Sequence, residues 1–562
     1  MNSGIRSAHS RGDEITPPTL TRRRLLGVAA ASGVAAIAVP VTAPLVGLGT
    51  SLADTGVAAD TGLLVGEAGV APAGGVVAPA RAGGVGTAAV SRAPRAVSIP
   101  HLLRRATYGI TPGLVAEVTK QTSARWLERQ LRPQAISDTL CDKHMARFPL
   151  LARSTAQIRA TQKDGSWQTM QDLGAATVLR AAWSKRQLFE LMVEFWSNHL
   201  NVTCPFGDAW DTRHRYDADV IRRHALGRFS DMLVASALHP AMLVFLNNDV
   251  SEKNSPNENF GRELLELHTV GVDGGYSEAE MRTSALVMTG CSIDWEIHAF
   301  LYRPTWHHTG RVSVLGWSSA NASAAGGLDV AKSYLRYLAL HPKTAQHIAR
   351  KLVTRFVGDV SSDALVAALT QTYLRSGSDI RPVLRQLFHS AQFKASAGQK
   401  VRRPYEDLIA TVRALGLGPD TAGTKGSQSL FWMAGDMGHA PLGWHPPDGY
   451  PDVAGAWQSA SGTLGRWNAH LNIAARWWPD TLTGPPARKL LPATLPATWG
   501  GVVDALAQRL LTQRLSSADR GVVLTFLQRS ATGAVSPDDE WLGWKLPFLV
   551  ALVLDLPVHG RR

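Results

Sequence analysis

The sequence predicts a mainly α-helical protein: a large multi-helix domain with a small inserted β-hairpin, preceded by a signal peptide and a disordered linker. Three observations carry this expectation. From about residue 99 onward, apolar residues recur at helical spacing between recognisable caps. One stretch, Cys291 to Trp317, instead concentrates β-branched and aromatic residues. Before residue 99 large side chains are scarce, and an arginine run precedes a short apolar segment.

The N-terminus reads as an address. Thr21-Arg22-Arg23-Arg24-Leu25-Leu26 sets an arginine pair directly before an apolar stretch running to about Val39. That stretch is too short and too weakly apolar for a good membrane span. A charged region, a modest apolar region and then small residues are the layout of a twin-arginine signal peptide. Val41-Thr42-Ala43 and Ser51-Leu52-Ala53 both fit a cleavage site; the second gives a signal over residues 1–53, and a retained anchor is the alternative. Residues 54–98 are Ala/Gly/Val-rich and bury too little apolar surface to offset their ordering entropy, so a disordered linker is expected. The expected route is the twin-arginine translocation machinery, to an extracellular or cell-wall location, with no permanent membrane span.

The remainder, a domain over residues 99–555 and a C-terminal tail over 556–562, is long enough for a large core. The chain carries a formal charge of +13, and since residues 1–53 hold five arginines and two acids, the rest keeps +10. Such a surplus favours anionic partners, a cell-wall polymer among them. Nucleic acid is not expected: the basic residues are scattered, without zinc-finger spacing or a basic helical arm. Cys141, Cys204 and Cys291 form no CxxC pair, which argues against a thiolate metal cluster and leaves room for one disulfide and one free thiol.

Along the domain, Gly109-Ile110-Thr111-Pro112 starts a helix to about Leu131, with Thr111 as N-cap and Pro112 at the first position. Helices follow at 184–200, at 217–238 with a break at Gly227, at 257–268 and at 277–289. The segments 291–302 and 311–317 make the inserted hairpin. Helices resume at about 328–340, 342–357, 362–375, 379–391 and 402–415, stop for a Gly/Pro/Trp-rich segment over 437–457, and return at 459–477, 500–514, 517–530 and 537–554.

Three stretches carry a family likeness: His101-Leu102-Leu103-Arg104-Arg105-Ala106-Thr107-Tyr108-Gly109, Phe195-Trp196-Ser197-Asn198-His199, and Asn257-Glu258-Asn259-Phe260-Gly261-Arg262-Glu263-Leu264-Leu265-Glu266-Leu267-His268 continuing through Thr269-Val270-Gly271. His239-Pro240, His341-Pro342 and Pro446-Pro447-Asp448-Gly449-Tyr450-Pro451-Asp452 add to it. Over about residues 99 to 555 the chain resembles the DUF1800 family, exported bacterial proteins of undefined function. The resemblance implies a partner, because members are often encoded beside DUF1501 proteins, which resemble sulfatases and alkaline phosphatases. Two positions depart from the family pattern: Ser197 stands where a histidine is usual, and His308 where an aspartate is usual.

The candidate chemistry lies first on the 257–268 helix, where Asn259, Glu263 and Glu266 share a face with Arg262 beside them. Two carboxylates on successive turns need a cation between them, which is a metal, an arginine or a shared proton. His199, His268 and His307 supply up to three imidazoles. Glu263, Glu266, His199 and Arg262 are the catalytic candidates. His199, Glu263, Glu266, His268 and His307 are the candidate ligands for a divalent zinc, iron or manganese ion. Asn259, Trp444, Tyr450 and Trp457 are the candidate substrate contacts, the aromatics by stacking. No HExxH, GxSxG, P-loop or GxGxxG signature occurs, so the commonest metalloprotease, esterase, kinase and dehydrogenase designs are disfavoured. Two readings stand: an exported hydrolase-like or metal-assisted enzyme acting on an extracellular or wall substrate, and a non-catalytic binding or assembly protein working with a DUF1501-like partner.

Overall fold

A computed structural model describes residues 97–562. The expected signal peptide, and the linker up to its last two residues, lie outside the described residues. The described chain is mainly helical with three small antiparallel strand pairs. Among its helices, none is long and apolar enough to cross a membrane.

The chain begins with α1 (Ile99–Ala106). The single helix expected to start at Pro112 under a Thr111 cap instead starts at Leu114, with Gly113 at the N-cap, and is two, α2 (Leu114–Gln121) and α3 (Ser123–Gln130), broken where Thr122 takes φ 74°. The Thr122 side chain accepts a hydrogen bond from the Arg125 amide, so a local cap competes with helix continuation and wins. Helix α4 (Gln168–Trp183) is buried on nearly every side. Because it lacks a polar face it leaves no amphipathic stripe in the sequence, and it is absent from the sequence reading for that reason. Helix α5 (Gln187–His199) carries the Phe-Trp-Ser-Asn-His motif at its end. A π-helical segment, Tyr216–Arg222, and α6 (Phe229–Ala237) occupy the next expected helix, with the break falling near Gly227.

Helices α7 (Glu258–Glu266) and α8 (Glu278–Met288) form the helical hairpin read from the sequence. Asn257 caps α7, its side chain accepting from the Phe260 amide, and Ser277 with Glu280 makes a capping box on α8. The two pack closely because Gly261 has no side chain: a Cβ there would stand 2.8 Å from the Ala285 nitrogen. Leu264 and Leu265 are fully buried, each contributing about 1.5–3 kcal/mol of transfer free energy.

The β insertion is two hairpins rather than one. β1 (Cys291–Asp294) pairs with β2 (Ala299–Tyr302), and β3 (Val312–Val314) with β4 (Trp317–Ser319). Each run folds back on itself because it holds its own turn. Asp294 accepts from the Glu296 and Ile297 amides in the first, and Leu315-Gly316 both take positive φ in the second. Beyond them lie α9 (Gly327–Leu340), α10 (Pro342–Phe356), α11 (Pro404–Leu415), α12 (Lys425–Asp436), α13 (Ala460–Ala474) and α14 (Leu546–Asp555). The third strand pair, Gly418–Asp420 with Leu482–Thr483, has no counterpart in the sequence reading.

Residues 556–562, set apart from the sequence as a tail, pack into the domain. The Arg562 amide donates to the Lys400 carbonyl, the Arg402 amide to that of Gly560, and the Arg562 side chain is buried. The three cysteines are buried and unpaired, so the disulfide that the sequence leaves room for is not formed.

Candidate functional site

The motifs that lie far apart in sequence meet around one cleft. Asn198, at the end of α5, clamps the backbone of Tyr450: its amide nitrogen donates to the Tyr450 carbonyl at 2.8 Å and its side-chain oxygen accepts from the Tyr450 amide at 2.6 Å. Asn201 donates to the Trp444 and Pro446 carbonyls at 2.8 and 2.7 Å. Gly449 sits between them at φ 76°, where a Cβ would fall 2.1 Å from the Asn198 carbonyl oxygen. No other residue fits that crossing. The two motifs therefore fold as one unit, with the Trp444–Asp452 loop held over the end of α5.

The cleft beneath this loop has a volume of about 440 Å³. Helix α10 supplies one wall with His347, Arg350, Lys351, Thr354 and Arg355, spaced at one side of the helix, while Ile348, Ala349, Leu352, Val353 and Phe356 are buried opposite. Trp444 and Tyr450 form the other wall, their rings 4.9 Å apart. The Trp444 indole donates to Asp448 at 2.7 Å.

The floor is a buried ion network. Glu406 receives Arg355, Arg403 at 3.1 Å and Arg562 at 3.0 Å. Glu194 pairs with Arg403 at 2.8 Å and Arg355 at 3.2 Å. Asp452 pairs with Lys400 at 3.0 Å, and Asp359 holds the same ammonium at 2.7 Å. The surrounding arginines keep the Glu406 carboxyl well below the usual carboxylate range, and Arg403 and Arg355 hold Asp452 down to about 2, in both cases against the opposing effect of burial.

Lys351 is different. Its ammonium makes no ion pair with any described carboxylate and instead stands 3.0 Å from His199 Nδ1. Burial lowers it to about 8, with Asp448 and Asp452 acting the other way. His199 in turn has Nε2 at 3.2 Å from the His268 carbonyl. The pair is consistent when Nε2 carries the proton and Nδ1 accepts from Lys351. Burial holds His199 well below the ordinary imidazole range, pushes His268 down to about 3 and His347 to about 4, with the Lys351 charge adding to each. Two buried imidazoles, His199 and His268, thus lie behind one ammonium that faces the cleft beside a third, His347.

The sequence-derived candidates divide accordingly. Trp444 and Tyr450 line the cleft, and His199 lies directly behind Lys351. His268 meets His199 through its carbonyl, and its Nε2 is buried without a partner. Glu263 is half-buried, raised above its ordinary value by burial first and by Glu266 second. Glu266 accepts from the Tyr276 hydroxyl at 2.9 Å and lies 3.7 Å from Arg262, which also stands 3.8 Å from Glu278, so of the two carboxylates the arginine pairs with Glu266. Asn259 is exposed on the outer side of α7. His307 stays in the β insertion, with Nδ1 at 2.8 Å from the Thr289 carbonyl and Nε2 at 3.0 Å from the Asn321 side chain. Among the described residues, the five expected metal ligands do not bring three donor atoms to one point. The reason is directional: His307 spends both nitrogens within its own module, and His199 points its two at a carbonyl and an ammonium. Trp457 stacks on His439 at 4.7 Å and donates to the Pro451 carbonyl, bracing the loop from behind. Of the two departures from the family pattern, Ser197 is buried with its hydroxyl unpartnered, and His308 is half-buried with its amide bound to Thr289 Oγ1 at 2.9 Å.

The α10 residues were missed from the sequence, although their signal was present: His347, Arg350, Lys351, Thr354 and Arg355 recur at three- and four-residue spacing. No curated protein and no solved structure matches the chain. The model of the family described as protein of unknown function (DUF1800) matches residues 101–559, nearly all of the described chain, and the protein belongs to that family.

Proposed function

We propose that the protein is an exported hydrolase-like enzyme that takes an acidic extracellular or wall-associated substrate into the α10 cleft, with Lys351 and His199 as its acid–base pair. The observation that carries this reading is the unpaired Lys351. A half-buried ammonium without a carboxylate is costly for folding, and its retention in a cleft is the pattern of a group kept for a ligand or for proton transfer. An anionic group of the substrate supplies the missing counter-charge. With its ammonium titrating near 8, Lys351 gives up a proton close to neutral pH, and His199 accepts its hydrogen bond and fixes its direction. Trp444 and Tyr450 offer ring faces to a sugar or similar flat group.

The second reading, a non-catalytic binding or assembly protein with a DUF1501-like partner, draws support from the floor. Glu406, Glu194 and Asp452 are all engaged by arginine or lysine, which leaves no free carboxylate there to serve as a second catalytic acid. The test is a defined glycerol-phosphate polymer offered to the full chain, with binding and chain cleavage measured separately. Binding weakened at least tenfold in Lys351→Met and Trp444→Ala, with cleavage by the wild type, supports the enzyme. Binding of the same dependence without cleavage supports the assembly reading. Binding unchanged in Lys351→Met overturns both assignments of this cleft.

A further inference from the structure

A second polar centre lies on the far side of the floor, and the chemistry of its donors is that of a metal site. Asp407 projects from α11, His470 from α13 and His559 from the segment after α14. All three are buried, at 2%, 3% and 4% exposure. Their donor atoms lie within 4.8 Å of one another. His470 Nε2 is 2.9 Å from Asp407 Oδ2, and His559 Nε2 is 3.7 Å from Asp407 Oδ1. Donors held at roughly 2.0–2.2 Å around one zinc ion are separated by about 3–3.7 Å, so this spacing suits a shared ion.

Two further features point the same way. His470 Nδ1 stands 2.8 Å from Asp555 Oδ1 at the end of α14. A carboxylate on the far ring nitrogen is the usual device that fixes the tautomer of a metal-binding histidine and leaves its other nitrogen free to coordinate. In that tautomer Nε2 would face Asp407 lone pair to lone pair, which requires a cation between them. A proton on Nε2 meets that need for one contact only. Asp407 Oδ1 is buried without a hydrogen-bond partner, and a proton on His470 does nothing for it. His559 Nε2 already has the Thr411 hydroxyl at 3.0 Å; one ion would satisfy Asp407 and His470 together and take the place of that hydroxyl at His559.

We propose that Asp407, His470 and His559 bind a divalent transition-metal ion, zinc or iron(II) by donor type, with Asp555 orienting His470. Two imidazoles and one carboxylate leave coordination positions open. A cleft of about 280 Å³ reaches Asp407 and His470 past Trp457, Arg466 and Trp467, giving a substrate or water access to those positions. The site shares no residue with the Lys351 cleft and stands or falls apart from it. It also differs wholly from the ligand set expected from the sequence. The signal there was weak, because its residues are spread over three helices and a terminal segment with no fixed spacing.

The experiment uses the tag-free full chain, stripped with chelator, dialysed and titrated with Co²⁺ alone and with Zn²⁺ alone. Bound metal is counted by elemental analysis and the cobalt site is read by its visible absorption. One equivalent is expected. His470→Gln and His559→Gln each weaken uptake at least a hundredfold, Asp555→Asn weakens it ten- to a hundredfold, and His199→Gln leaves it unchanged. A wild-type protein that takes up no stoichiometric metal overturns the proposal and leaves His470 as an imidazolium between two carboxylates. Equal uptake by His559→Gln overturns it as well. Where a glutamine variant does not fold, the wild-type stoichiometry and the Asp555→Asn shift decide.

Discussion

Replacing Lys351 by methionine should make the protein more stable and less functional. The ammonium is lowered from 10.5 to about 8, chiefly by burial. At about 1.36 kcal/mol per unit, the charged form costs the folded state up to about 3 kcal/mol relative to the neutral amine. Methionine keeps the stem and omits the charge. The hydrogen bond to His199 is lost with it, which offsets about 1 kcal/mol. The net expectation at pH 7 is a gain of about 2 kcal/mol, or roughly 2 °C in Tm for a domain of this size. The pH dependence supplies the sharper signature. Between pH 8 and 10.5 the unfolded lysine holds a proton that the folded one has released, so wild-type stability gains from this residue as pH rises through that window. The variant lacks the gain, and its advantage should shrink from pH 7 to pH 10.5. Urea unfolding of both proteins at pH 7, 8.5 and 10 measures the difference directly, with shared titrations cancelling. A variant less stable at pH 7, or a difference constant across the series, refutes the assignment of Lys351 as an unpaired charge.

Gly449→Ala should cost more than about 3 kcal/mol, because a positive φ alone costs about 1–3 kcal/mol and the added Cβ also meets the Asn198 carbonyl oxygen; thermal unfolding gives the loss, and altered tryptophan fluorescence would place it in the Trp444 loop. Glu406→Gln should cost about 3–5 kcal/mol by leaving Arg355, Arg403 and Arg562 short of a buried counter-charge. Glu266→Gln should cost under about 1 kcal/mol, since its pair with Arg262 is partly exposed; equal losses in these two variants would contradict the division between floor and α7. His347→Gln should reduce acid sensitivity. Folded His347 protonates only near 4 whereas the unfolded residue does so near 6.5, so its contribution to stability falls as pH drops below 6.5. Removing it should flatten the dependence by about 1.4 kcal/mol per pH unit between those values, as read from unfolding midpoints at pH 5 and 7.

The elements most legible in the sequence are those whose signals are local. The helices expected from residues 257 and 277 start there, because Asn257 and Ser277 cap them, and a side chain bonding an amide three residues on needs no tertiary partner. The helices 342–357 and 402–415 were legible from apolar spacing alone. Helix α4 was not, because burial on all sides erases the stripe that a solvent-facing helix displays. Thr122 hid its break, since positive φ at a threonine has no composition signal. The two β turns hid the split of the insertion for a similar reason: Leu315-Gly316 is an uncommon pair for a two-residue turn.

The site divides along the same line. Trp444 and Tyr450 could be singled out from their own loop, and His199 from its motif. Residue types and helical spacing, however, carry no direction across the molecule. Glu263 and Glu266 share a helix face as expected, and Arg262 on the same helix, one of the cations the sequence offered, pairs with Glu266. His307 was a plausible ligand until the hairpin turned both its nitrogens inward. The sequence by itself determined that the domain is helical, which family it resembles, and where its motifs end. Only the tertiary structure decided that α10 faces the Trp444 loop, that Lys351 is left without a carboxylate, and that Asp407, His470 and His559 converge. The physical reason is range: caps, turns and helical stripes are set within a few residues, whereas charge pairing and ligand convergence depend on which helices pack together across sixty residues and more.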